Sequence, residues 1–190
     1  KIHQTGGKYA GVLWYQGCSD TNPGPAEKYL EHFREYVEAT RKELGYEIPF
    51  FTMQLNRQIN GINDECWGMV RDAQARAAKE IPGVSVLTTS NLSLCDGIHN
   101  TAQANVALGE KLAKQCAHVL NGKEEYQPPE LVKVERADEA ERKSFQLEGS
   151  GIWLKLTCDH VKNCFLVYSA VGKDSGFTLT DSEGEVEILH

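Results

Sequence analysis

The chain has 190 residues, 41% of them apolar, 25% charged and 8% aromatic, a composition that excludes collagen-like, low-complexity and intrinsically disordered proteins. A net charge of −7 with a pI near 5.4 lacks the basic footprint of a nucleic-acid binder or of a reader of anionic membranes. No apolar run approaches the roughly 18 residues of a membrane span, and the mean hydropathy of −0.44 agrees, so a soluble protein without nucleic-acid or membrane partners is expected.

Gly11 to Gly17 is a short apolar run bounded by glycines, which predicts a buried strand. Turn residues from Ser19 to Pro25 follow, then a helical pattern from about Ala26 to Leu44 that sets Tyr29, Leu30, Phe33 and Val37 on one face. Pro49 to Leu55 predicts a second buried strand. The polar stretch Asn56 to Asn63 leads into a second helix, Asp64 to Glu80, with Trp67, Val70, Ala73 and Ala77 at helical spacing. Val84 to Thr88 predicts a third strand and Ser90 to Asn100 a loop. Thr101 is placed to cap a helix reaching about Leu120, with Val106, Leu108 and Leu112 in its apolar stripe. Buried strands alternating with helices predict an α/β unit with a parallel sheet over residues 1–122.

Beyond Asn121-Gly122 the period changes. Pro128-Pro129 marks a linker, and residues 123–190 read as a β-rich segment with strand candidates at Leu131–Val134, Ser144–Leu147, Ile152–Thr157, Phe165–Tyr168, Phe177–Leu179 and Val186–Leu189. From Lys123 onward lie 14 of the 27 Asp/Glu but only 8 of the 20 Lys/Arg, so this segment carries most of the acidity. The chain opens on Lys1 instead of Met and closes on a strand-like run, 185–189, which reads as a piece of a longer protein. Cys18, Cys66, Cys95, Cys116, Cys158 and Cys164 include no CxxC pair. They predict free thiols and no metal site, and lean to a reducing compartment, with cytoplasm and secretion both left open.

Open α/β sheets bind ligands at the C-terminal ends of their strands, which directs attention to the loops after Gly17, Leu55 and Thr88. The third holds Asp96-Gly-Ile-His99, in which a carboxylate could fix the tautomer of a general-base histidine. On spacing alone the simpler reading is a turn aspartate and a surface histidine. Gln16-Gly17 could give a side-chain amide and a backbone N–H to an oxyanion, or Gln16 could be a satisfied polar group at a strand end.

Four segments in order, Gly11-Val-Leu-Trp-Tyr-Gln-Gly-Cys-Ser-Asp20, Pro49-Phe-Phe-Thr-Met-Gln-Leu55, Trp67-Gly-Met-Val-Arg-Asp-Ala-Gln74 and Asp96-Gly-Ile-His99, resemble the sialate O-acetylesterase family of SGNH hydrolases over residues 10–120. The resemblance implies a flavodoxin-like SGNH hydrolase three-layer α/β sandwich, present in part, and cofactor-free and metal-free hydrolysis of acetylated carbohydrates by a serine with a His-Asp pair. It implies His99 as general base, Asp96 as its partner, Gln16 and Gly17 at the oxyanion hole, and Gln54, Trp67, Arg71 and Gln74 near the cleft or bracing it. A β-rich segment often follows the catalytic domain in this group, where Trp153 and Tyr168 are candidates for sugar contact or for core packing.

Three departures qualify the resemblance. The family's nucleophile lies in a Gly-Gln-Ser-Asn type segment that this chain lacks, so the serine is expected upstream of Lys1; Ser19 and Cys18 are poor substitutes. Cys18 stands where an acidic residue is usual. Asn100 stands where proline is usual, with an expected effect on the turn only. Two other readings stay open: an esterase acting on xylan or another polysaccharide, and a carbohydrate-binding protein that has lost the reaction. Homo-oligomerisation is undetermined by the sequence.

Overall fold

The computed structural model describes residues 3–121, 130–144, 154–159, 165–168, 177–181 and 184–186. These fall into two compact units.

The first unit follows the predicted order: β1 (Val12–Trp14), α1 (Pro25–Leu44), β2 (Phe50–Met53), α2 (Asp64–Glu80), β3 (Val84–Leu87) and α3 (Ala102–Leu120). The strands form a parallel sheet in the order β1-β2-β3, with Val12 opposite Phe50 and Phe50 opposite Val84. Alternation along β2 sends Phe50 to one face and Met53 to the other. On the first face Phe50 and Val84 pack with Tyr29, Phe33 and Val37 of α1 and Val70, Ala73 and Ala77 of α2. On the second, Met53 and Leu87 pack with Leu92, Ala104 and Leu108, so α3 covers that side. Helix, sheet and helix make three layers of an α/β fold.

Sequence chemistry sets the helix ends. Pro25 begins α1, where its missing N–H costs nothing, and Gly45 closes it at φ 75°, its N–H donating to the Arg41 carbonyl. Thr101 caps α3, its hydroxyl accepting from the Ala104 N–H at 3.1 Å. On the α3 side of the sheet β1 is thinly covered: Leu13 is 60% exposed although β1 lies in a parallel sheet.

The second unit holds β4 (Glu130–Arg136), α4 (Glu139–Ser144), β5 (Leu154–Asp159), β6 (Phe165–Tyr168), β7 (Phe177–Asp181) and β8 (Gly184–Val186). β4 pairs antiparallel with β5, and β6-β7-β8 form an antiparallel meander. The strand expected from Ser144 is corrected at that residue, which ends α4. Glu139-Ala-Glu-Arg-Lys143 has no alternating apolar face, and Lys143 reaches back one turn to Glu139 at 2.8 Å. Residues 145–147, 152–153 and 187–189 of the expected strands, Trp153 among them, lie outside the described residues. No helix among the described residues is long and apolar enough to cross a membrane.

Candidate active site

The loop after β1 is shaped by Gly17. Its φ of 144° disfavours side chains, and a Cβ there would stand 3.0 Å from Gln74 Nε2 and 3.1 Å from Val70 Cγ1. The chain then turns through a short 3-10 segment, Cys18–Asp20. The Gln16 side-chain amide donates to the Asp20 carboxylate, while the Gln16 backbone carbonyl accepts from the Tyr29 hydroxyl and from Gln74 Nε2, both at 2.9 Å. Gly17→Ala is expected to cost about 1–3 kcal/mol in chemical denaturation, since it adds backbone strain and pushes Gln74 off its partners; an unchanged unfolding midpoint would contradict this reading of the turn.

Gln74 and Gln54 are buried braces. Gln74 Oε1 accepts the Leu55 N–H at 2.7 Å while its Nε2 donates to Gln16, so one amide ties the ends of β1 and β2 to α2. Gln54, 0% exposed, donates from Nε2 to the Arg71 carbonyl at 3.0 Å, and its own carbonyl accepts from Thr89. One turn earlier on α2, the Trp67 indole donates to the Asn56 carbonyl at 2.7 Å. Burial lowers the pKa of Arg71, and the nearby Arg57 cation lowers it further. Arg57 is fixed by the Ser90 and Leu92 carbonyls at 2.7 and 2.8 Å.

The loop after β3 is a narrow hairpin-like turn closed by Cys95 N–H to the His99 carbonyl and Thr101 N–H to the Ser93 carbonyl, both 2.9 Å. Asp96 organises its tip. Oδ1 accepts the backbone N–H groups of Ile98 and His99, each at 2.8 Å, and Oδ2 lies 2.7 Å from His99 Nδ1. The two backbone donors and the imidazole hold the Asp96 carboxyl at about 2, below the usual carboxylate range. Ile98 packs on the core, and Gly97 sits against Asn60 while accepting the Ile59 N–H. The ring is thus anchored from beneath and 65% exposed above. With Nδ1 paired to Asp96, Nε2 carries the lone pair that can take a proton.

The model of a carbohydrate esterase family described as sialic acid-specific acetylesterase matches residues 1–118, more than half of the chain. The chain belongs to this family. Among solved structures it is similar to an Arabidopsis thaliana protein at 27% identity and TM-score 0.55, with 62% of this chain and 48% of that one covered. It is also similar in fold to a carbohydrate acetylesterase from Xanthomonas citri at 22% identity and TM-score 0.61, with 94% of this chain and 41% of that one covered. The chain therefore spans less than half the length of either structure. No curated protein matches it.

Within this esterase family member, the sequence-derived residues separate into two groups. His99 and Asp96 face solvent as a bonded pair. Gln54, Trp67 and Gln74 are buried and each bonds to backbone groups of the scaffold, and the Gln16 amide is engaged by Asp20. Cys18 and Ser19 are exposed on the 3-10 turn, and neither bonds to His99. Burial on its inner side pushes the Cys18 thiol up, away from the thiolate that a nucleophile requires. Among the described residues no cluster of His, Cys, Asp or Glu is arranged to hold a metal ion. Asn100, expected to affect only the turn, instead joins the loop after β3 to the loops after β1 and β2 and to α3. Its position directly after the Asp-x-x-His segment was the one available signal.

Proposed function

We propose that this chain is the His-Asp-bearing part of a carbohydrate O-acetylesterase of the Ser-His-Asp type, acting on acetyl esters of sugars of the sialate kind. A serine from a segment upstream of Lys1 attacks the acetyl carbonyl carbon, and its hydroxyl proton passes to His99 Nε2. The protonated imidazole, held by the Asp96 carboxylate, returns that proton to the departing sugar oxygen. Water then attacks the acetyl-serine with His99 again as base, which releases acetate and restores the serine. Gly17 contributes a backbone N–H toward the oxyanion.

The observation that carries this reading is the 2.7 Å contact between His99 Nδ1 and Asp96 Oδ2 on an exposed loop after the C-terminal end of β3, the end where open α/β sheets bind ligands. Two chemically separate residues are locked into one general-base unit, while the family membership supplies the ester chemistry.

The product of the natural gene is to be treated with a serine-directed fluorophosphonate and assayed against acetylated sialic acids and acetylated xylan. Labelling of one serine outside residues 1–190, together with release of acetate from the sialic acids, is the expected result. Turnover of xylan alone would keep the mechanism and change the substrate. Sugar binding without labelling or turnover would favour the non-catalytic alternative.

A further inference from the structure

We propose that Asn100 is a positioning residue whose carboxamide clasps the His99 loop to the loops after β1 and β2 and to α3, and so fixes where His99 Nε2 meets the ester. The inference rests on His99 being the general base. Asn100 Nδ2 donates to the Tyr15 hydroxyl at 3.1 Å and to Asn105 Oδ1 of α3 at 3.2 Å, while its Oδ1 accepts from Asn56 Nδ2 at 2.7 Å. One side chain therefore reaches three separate elements.

The Asn56 end of these bonds is fixed. Asn56 is 1% exposed, donates also to the Leu92 carbonyl at 3.2 Å, and accepts the Arg57 backbone N–H at 2.7 Å. It is a rigid post inside the fold. Tyr15 immediately precedes Gln16, and burial on its inner side pushes its phenol up, so it stays a neutral hydroxyl that can accept from Asn100.

By contrast, the His99 ring has Asp96 as its hydrogen-bond partner, and Asp96 belongs to the same short loop. That pair sets the orientation of the ring within the loop. The Asn100 clasp sets the location of the loop against the rest of the cleft. A displacement of about 1 Å at such a site costs on the order of a hundredfold in rate.

Two variants at Asn100 together separate turn from clasp. The flanking bridge uses the N–H groups of Cys95 and Thr101, so replacing Asn100 with proline spares both bonds, while Asn100→Ala removes the side-chain ties without the constraint that a proline ring places on the His99 backbone.

The experiment uses the full gene product and compares Asn100→Ala, Asn100→Pro and Tyr15→Phe with the parent and with His99→Ala. Steady-state kinetics are measured together with hydrogen exchange of the 93–101 segment. Asn100→Ala and Asn100→Pro are each expected to lower kcat by about 10- to 100-fold with KM nearly unchanged, and to speed exchange in 93–101 but not in α1. Tyr15→Phe is expected to lower kcat by a smaller factor and to add little to Asn100→Ala in the double variant.

Parent-like kcat in Asn100→Pro would overturn the clasp, since the turn alone would then suffice. So would a loss confined to KM. Should His99→Ala keep its activity, the general-base reading fails. Exchange in 93–101 separates that result from a failure of the clasp.

Discussion

Replacing His99 with alanine in the intact gene product is expected to lower kcat on an acetylated sugar by about four orders of magnitude, with KM little altered. Nothing else on this loop can accept the proton. Asp96 is held near 2 and is too weak a base at neutral pH, and the Cys95 sulfhydryl is turned to the His99 and Asn100 carbonyls at 3.4 and 3.5 Å. Stability should hold, because the ring is 65% exposed and its bond is to the loop aspartate. Thermal melting beside steady-state kinetics checks both halves. Near-native turnover in this variant would remove His99 from the mechanism, and with it the main support for the proposed activity.

The α/β framework was legible because its signals are local and redundant. Phe50 to Met53 is mostly apolar and buried on both faces, as a strand covered by helices must be. Tyr29, Phe33 and Val37 recur at helical spacing, and Thr101 announces the start of α3 with a cap that the structure bears out. Ser144 departs from the expected strand because a short helix of charged residues carries no apolar stripe, so the nearby β-formers dominate the local pattern. Asp-x-x-His was visible as a motif, but whether its two side chains meet depends on the Gly97 turn and on Ile98 reaching the core. Those are tertiary facts.

The braces were least legible. Gln74 ties Leu55 to Gln16 across 19 and 58 positions. A glutamine on the buried side of a helix has the same letter whether it binds a sugar or a backbone. Asn100 makes the same point. Its contacts with Tyr15 and Asn56 span 85 and 44 positions, and no local pattern encodes a bond of that reach.

Asp96→Asn separates the two jobs done by Asp96. An asparagine can keep its oxygen over the Ile98 and His99 N–H groups, so the turn survives, but its NH2 would then face His99 Nδ1, donor against donor. The imidazole is driven to the tautomer with its proton on Nε2, which cannot accept from the serine. The expected loss in kcat is about 10⁴-fold. Asp96→Ala should lose as much activity and also loosen the loop, seen as faster hydrogen exchange at Ile98 and His99.

The pH dependence follows from the same bonds. Folding depresses the Asp96 carboxyl from 3.8 to about 2, so its support of the loop is complete above the unfolded value and is lost as pH falls through the folded one. Loop order, read from the amide signals of Ile98 and His99, should therefore persist to about pH 4 and disappear toward pH 2. Any acid limb of kcat above pH 4 must then belong to a group other than Asp96. Kinetics across that range on the parent and Asp96→Asn, with the Asp96 carboxyl followed by carbon NMR, decide the matter. A variant that keeps more than about a tenth of the parent kcat, or a carboxyl that titrates near its ordinary value, would show that Asp96 does not hold the imidazole.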